Sequence, residues 1–105
     1  MENVQELTNG MFNSFIKKGT VLIDFSADWC MPCLMMAPIL EEVGEKLAGK
    51  IKIGKLDVGE NQDIASKFGV SSIPNFVLFK DGKVAEQFVG SMPIEVLEKK
   101  LKEHL

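Results

Sequence analysis

The chain has 105 residues, is 46% hydrophobic and 26% charged, and carries a formal net charge of −3. That length suits one domain over residues 1–105 with its own core, and the composition excludes a disordered tract. All 12 Lys and Arg positions are lysine, so there is no forked guanidinium for phosphate or guanine edges and no basic block. Nucleic acid is therefore not expected as a partner.

The elements follow in chain order. Met1 to Glu6 is acidic and lacks the basic and apolar regions of a secretion signal. No stretch approaches the ~18 apolar residues of a membrane span. The expected location is the cytoplasm, with no membrane partner. Val4–Leu7 predicts a short strand, and Thr8 or Asn9 caps a helix over Met11–Lys18 that Gly19 ends. Val21-Leu22-Ile23-Asp24-Phe25 is a near-continuous apolar run, the pattern of a central strand covered on both faces.

A helix is predicted from Met31 to Leu47, with Met35, Ile39, Val43 and Leu47 recurring at intervals of four along one face. Met35 and Met36 are read as fillers on its surface, and Pro38 should kink it. Ile51–Val58 reads as a strand and Gln62–Phe68 as a short helix closed by Gly69. Asn75–Phe79 and Val84–Val89 flank Lys80-Asp81-Gly82-Lys83, whose Asp-Gly pair signals a hairpin. A last helix spans Pro93 to His104, with His104 in its final turn, where a cation suits the helix dipole. The resulting α/β order, β-α-β-α-β-α-β-β-α, predicts a mixed five-stranded sheet, parallel where helices cross over and antiparallel at the hairpin, with helices on both faces.

The chemistry concentrates at Cys30 and Cys33, the only cysteines. As a permanent staple, so short a loop would stabilise little, and a reducing compartment opposes it. Zinc needs four ligands, and the only histidine is the distant His104, so no metal is expected. Cys30 instead follows a buried strand and opens a helix, where free N–H groups and the helix dipole favour a thiolate. Cys33 lies one turn on, on the same side and close enough to bridge. Cys30 is thus the expected nucleophile and Cys33 the resolving thiol. Asp24 interrupts the apolar strand six residues before Cys30. It is either exposed at the strand surface or buried at a cost that needs a compensating role.

The run from Val21 through Trp29-Cys30-Met31-Pro32-Cys33 to Ala37-Pro38 resembles the active-site segment of the thioredoxin family. Lys55-Leu56-Asp57-Val58, Ser72-Ile73-Pro74, Leu78-Phe79-Lys80-Asp81-Gly82 and Val89-Gly90 follow in the family's order and spacing. The resemblance implies the thioredoxin fold and a dithiol reductant of protein disulfides. It makes Asp24 the buried acid that handles the proton of Cys33, its pKa raised by burial, with Lys55 beside it. It also implies a cis bond at Ile73–Pro74 that exposes the Ile73 backbone to an extended substrate. Trp29, Met31, Pro32, Ile73 and Pro74, with Gly90 leaving room, would form an apolar docking patch.

The implied partners are disulfide-containing client proteins and a thioredoxin-reductase-type electron donor. No bound cofactor is expected, and the chain should be a monomer. Three positions depart from the family pattern. Met31-Pro32 stands where Gly-Pro is usual, Leu34 where a basic residue is frequent, and Asn75 where threonine is usual. Two other functions are compatible with the same residues: an oxidant or isomerase of folding proteins, and a binding module whose redox pair is incidental.

Overall fold

A strand without a polar face must be covered on both sides, and Val21-Leu22-Ile23 is placed accordingly. The computed structural model describes residues 3–105. Its elements are β1 (Val4–Glu6), α1 (Asn9–Ile16), β2 (Thr20–Ser26), α2 (Met31–Lys46), β3 (Lys52–Asp57), α3 (Gln62–Lys67), β4 (Asn75–Lys80), β5 (Lys83–Val89) and α4 (Ile94–Lys102). They form one five-stranded sheet in the order β1-β3-β2-β4-β5. β1 and β2 run parallel to β3, while β4 runs antiparallel to both β2 and β5. β2 is therefore central, and every residue from Val21 to Ser26 is buried.

Alternation along the strands divides the core into two layers. On one face, Val4, Leu22, Ile53, Phe76 and Leu78 pack with Met36, Leu40 and Val43 of α2 and Leu97 and Leu101 of α4. On the other, Val21, Ile23, Phe25, Leu56, Val77 and Phe79 pack with Phe12 and Ile16 of α1 and Ile64 of α3. Phe68 and Phe12 each meet Phe79 edge-to-face, with ring centroids 5.4 and 5.9 Å apart. The hairpin turns through Asp81 (φ 50°) and Gly82 (φ 86°). Positive φ at both positions matches the right-handed twist of the flanking strands. Asp81 also ties the turn to the start of β2: its carboxylate accepts from the Gly19 N–H at 2.8 Å, and its own N–H donates to the Gly19 carbonyl at 2.9 Å.

Three expectations are corrected. The inner face of α2 is formed by Cys33, Met36, Leu40 and Val43, continued by Leu47, while Met35 is exposed. Steps of four residues precess by about 40° each on a 3.6-residue helix, so Met35-Ile39-Val43-Leu47 winds off the core. Alternating steps of three and four stay on it. Met36 is consequently wholly buried and not a surface filler. α1 ends at Ile16, two residues before Lys18. α4 ends at Lys102, so His104 lies beyond the last helical turn; its Nε2 is 2.7 Å from Glu86 Oε1 on β5. A specific acceptor on β5 holds the imidazole there.

Gly54 of β3 lies where a Cβ would come 2.6 Å from Leu7 Cδ1 and 2.9 Å from Phe15 Cε2. Gly54→Ala is expected to destabilise the fold by about 1–3 kcal/mol, as overpacking of a dense core does, seen as a lower urea midpoint at unchanged slope.

Candidate active site

The site is built where β2 hands over to α2. Beyond Ser26 the chain turns, the Cys30 N–H donating to the Ala27 carbonyl at 3.2 Å. Cys30 then occupies the N-cap of α2 in extended geometry, with Pro32 in the first turn. Proline is tolerated there because the first N–H groups of a helix have no intrahelical partner. The Cys33 N–H donates to Cys30 Sγ at 3.2 Å. Sulfur thus occupies the place that a serine or aspartate oxygen takes in an ordinary cap, where the N–H groups and the helix dipole favour negative charge. Cys30 and Cys33 are joined as a disulfide, their Cα atoms 5.2 Å apart. Both sulfurs lie in a small apolar shell with Ala27, Val58 and Ile73.

The substrate-side residues divide into two groups. Trp29 (79%) and Met31 (65%) are among the most exposed large side chains of the protein, and Pro32 is also exposed. Ile73 is half-buried, with its carbonyl oxygen 3.9 Å from Cys30 Sγ, and the Ile73–Pro74 bond is cis. Pro74, in contrast, is buried. It presents no side-chain surface for docking, because it leads directly into β4, and its carbonyl accepts from the Gly90 N–H at 2.8 Å. At Gly90 open space surrounds the position of a Cβ, and its φ of 97° also favours glycine.

Leu34 (46% exposed) and Met35 (63%) extend the apolar surface one turn past the cysteines, and sequence reading did not assign them to it. The available signal was their spacing, three and four residues after Met31 on one helix. Asn75 is buried, and its Oδ1 accepts from Gln87 Nε2 at 3.0 Å, linking β4 to β5 beside Pro74.

Asp24 is 1% exposed, and its Oδ1 has no hydrogen-bond partner. It borders a cavity of about 60 Å³ with Val4, Glu6, Ala37, Leu40 and Lys55. That volume admits about two water molecules. Burial pushes the Asp24 carboxyl up to about 7; the Lys55 charge pulls it down and the Glu6 charge raises it further. Lys55 is half-buried and lies directly opposite Asp24 across the β2–β3 pairing. The structure thus brings Asp24 and Lys55 together on the α2 face of the sheet, and Cys30, Cys33, Trp29, Met31 and Ile73 together at the sheet end.

A redox-active pair at a helix N-terminus, beside an exposed apolar surface and at the end of a mixed sheet, defines a thiol–disulfide oxidoreductase. The family model for thioredoxin matches residues 3–103. The thioredoxin of Bacillus subtilis (strain 168) is 45% identical over 102 residues, covering 97% of this chain and 98% of that protein. The thioredoxin of Staphylococcus aureus (strain MW2) is 44% identical over the same length, with the same shares of both chains. A mutant thioredoxin from Halobacterium salinarum NRC-1 superposes with a TM-score of 0.89 at 33% identity, covering 97% of this chain and 90% of that one. The chain belongs to the thioredoxin family, and the activity that goes with this membership is reduction of protein disulfides. Among the described residues, no helix is long and apolar enough to cross a membrane.

The burial of Asp24 makes stability depend on pH. The unfolded chain releases this proton near 3.8 and the folded chain near 7. Between those values the folded state binds more protons, so stability is full below pH 3.8 and is lost as pH rises through 7. The loss is of order 4 kcal/mol in all. Asp24→Asn should therefore change stability little at pH 3.5 and raise it by a few kcal/mol at pH 8, measured by urea unfolding at both values. The same change at both values would contradict this assignment.

Proposed function

We propose that Cys30 is the nucleophile, Cys33 the resolving thiol and Asp24 the acid–base group of this reductase. The observation that carries the reading is the Cys33 N–H donating to Cys30 Sγ at the helix cap. In the reduced protein a thiolate at that position is stabilised by the helix N-terminus, while Cys33, whose N–H donates to that sulfur, is the thiol that keeps its proton.

The Cys30 thiolate attacks one sulfur of a client disulfide. A mixed disulfide forms, and the second client sulfur leaves as a thiolate and takes a proton from water. Ionised Asp24 accepts the Cys33 proton, through water in its cavity. The Cys33 thiolate then attacks Cys30 Sγ, forming the Cys30–Cys33 disulfide and releasing the first client sulfur. Two electrons pass to the client, and a thioredoxin-reductase-type donor returns them. A group with its pKa near neutrality suits a proton transfer made at neutral pH.

Trp29, Met31, Pro32 and Ile73 form the docking surface, extended by Leu34 and Met35. No backbone hydrogen bond engages Ile73 among the described residues, so its N–H and C=O are free to pair with an extended client segment. Pro74 and Gly90 hold that segment of backbone in place. The protein acts as a cytoplasmic monomer and needs no bound cofactor, since both electrons reside in the thiols.

Cys33→Ser is expected to accumulate mixed disulfides between Cys30 and client proteins, visible as thiol-sensitive adducts on non-reducing gels. Cys30→Ser should give none. Equal trapping by the two variants would reverse the assignment of nucleophile and resolving thiol.

A further inference from the structure

The small cavity beside Asp24 contains a second carboxylate, which the mechanism above does not use. Glu6 of β1 is the register partner of Lys55 on β3, and Lys55 is the register partner of Asp24 on β2. Parallel partners point to the same face of a sheet. Glu6, Lys55 and Asp24 therefore form a row of acid, base and acid across three adjacent strands, and all three line the cavity. α2 contributes only Ala37 and Leu40 to the lining, and β4 places Phe76 opposite Asp24, so no further charge enters from those elements. Asp57, two residues beyond Lys55 on the same face, is engaged by the N–H groups of Gly59 and Glu60.

Among the described residues, Lys55 makes no close ion pair with either carboxylate, and it is the register partner of both. Glu6 is exposed and Asp24 is buried without a partner for Oδ1. Water solvates a carboxylate at Glu6, whereas the ionised form of Asp24 depends on Lys55 and on whatever water the cavity holds.

We propose that Glu6 is a positioning residue for the acid–base step: by competing for Lys55, and through its own charge, it keeps Asp24 protonated to higher pH. The inference rests on Asp24 being the acid–base group of the exchange. Strands lie ~4.8 Å apart, so Glu6 and Asp24 are about 10 Å apart across the sheet. Unit charges at that separation and an effective dielectric of ~20 move a titration by about one pH unit, and by less where water screens them.

The test is a carbon-13 titration of the Asp24 carboxyl in the full oxidised chain. Glu6→Gln is expected to lower the midpoint by roughly 0.5–1 pH unit, while Glu6→Asp keeps it close to that of the unaltered protein. The pH profile for release of client from the mixed disulfide should move in the same direction in Glu6→Gln. An unmoved midpoint in Glu6→Gln, or equal shifts in both variants, overturns the proposal. The role of Asp24 itself is read separately from the client-release rate of Asp24→Asn. An unchanged rate there removes the acid–base reading, and the catalytic part of the Glu6 inference with it, whatever the titrations show.

Discussion

The first turn of α2 is the constraint on which the rest of the site depends. Its open N–H groups need a partner, and the side chain at the cap is a cysteine, so that sulfur receives the Cys33 N–H. That contact directs Cys30 Sγ to the helix dipole, and the Ile73 carbonyl, at the entry to β4, lies 3.9 Å from the same sulfur. The turn can be held this firmly because it is anchored at both ends. β2 enters it wholly buried, and Met36, Leu40 and Val43 fix the helix behind it. Pro32 adds rigidity where its missing N–H costs nothing.

The same burial that steadies β2 makes Asp24 expensive. A carboxylate with an unpartnered oxygen in the middle of the sheet opposes folding once ionised. The strand order limits this cost by laying Lys55 beside it on β3. Reaction and stability thus draw on one group in opposite senses: a carboxyl that ionises near neutrality serves proton transfer, and the ionised form weakens the fold. A protein selected for stability alone would carry an apolar residue at this position.

Much of this was legible in the sequence because its signals are local. The apolar run Val21–Phe25, the Asp-Gly turn and the strand-to-helix position of Cys30 each depend on neighbouring residues, and all nine elements follow from such patterns. The parts not legible depend on phase or on contacts distant in sequence. The inner face of α2 is decided by a 40° drift per four residues, enough to exchange Met35 for Met36. Pro74 is buried because of what β4 joins, and the backbone angle that also favours glycine at Gly90 has no local sequence signal. His104 reaches Glu86 only once α4 packs beside β5. Glu6 looks like an ordinary strand charge until the β1–β3 register places it level with Lys55.

The most direct measurement is the pH dependence of Cys30 alkylation in the reduced protein, with the modified residue identified by mass. A thiolate stabilised at the cap of α2 predicts that Cys30 reacts first, with a half-maximal rate well below the free-cysteine value of about 8.5. Faster reaction at Cys33, or a midpoint at or above that value, would contradict activation of Cys30 by the helix N-terminus.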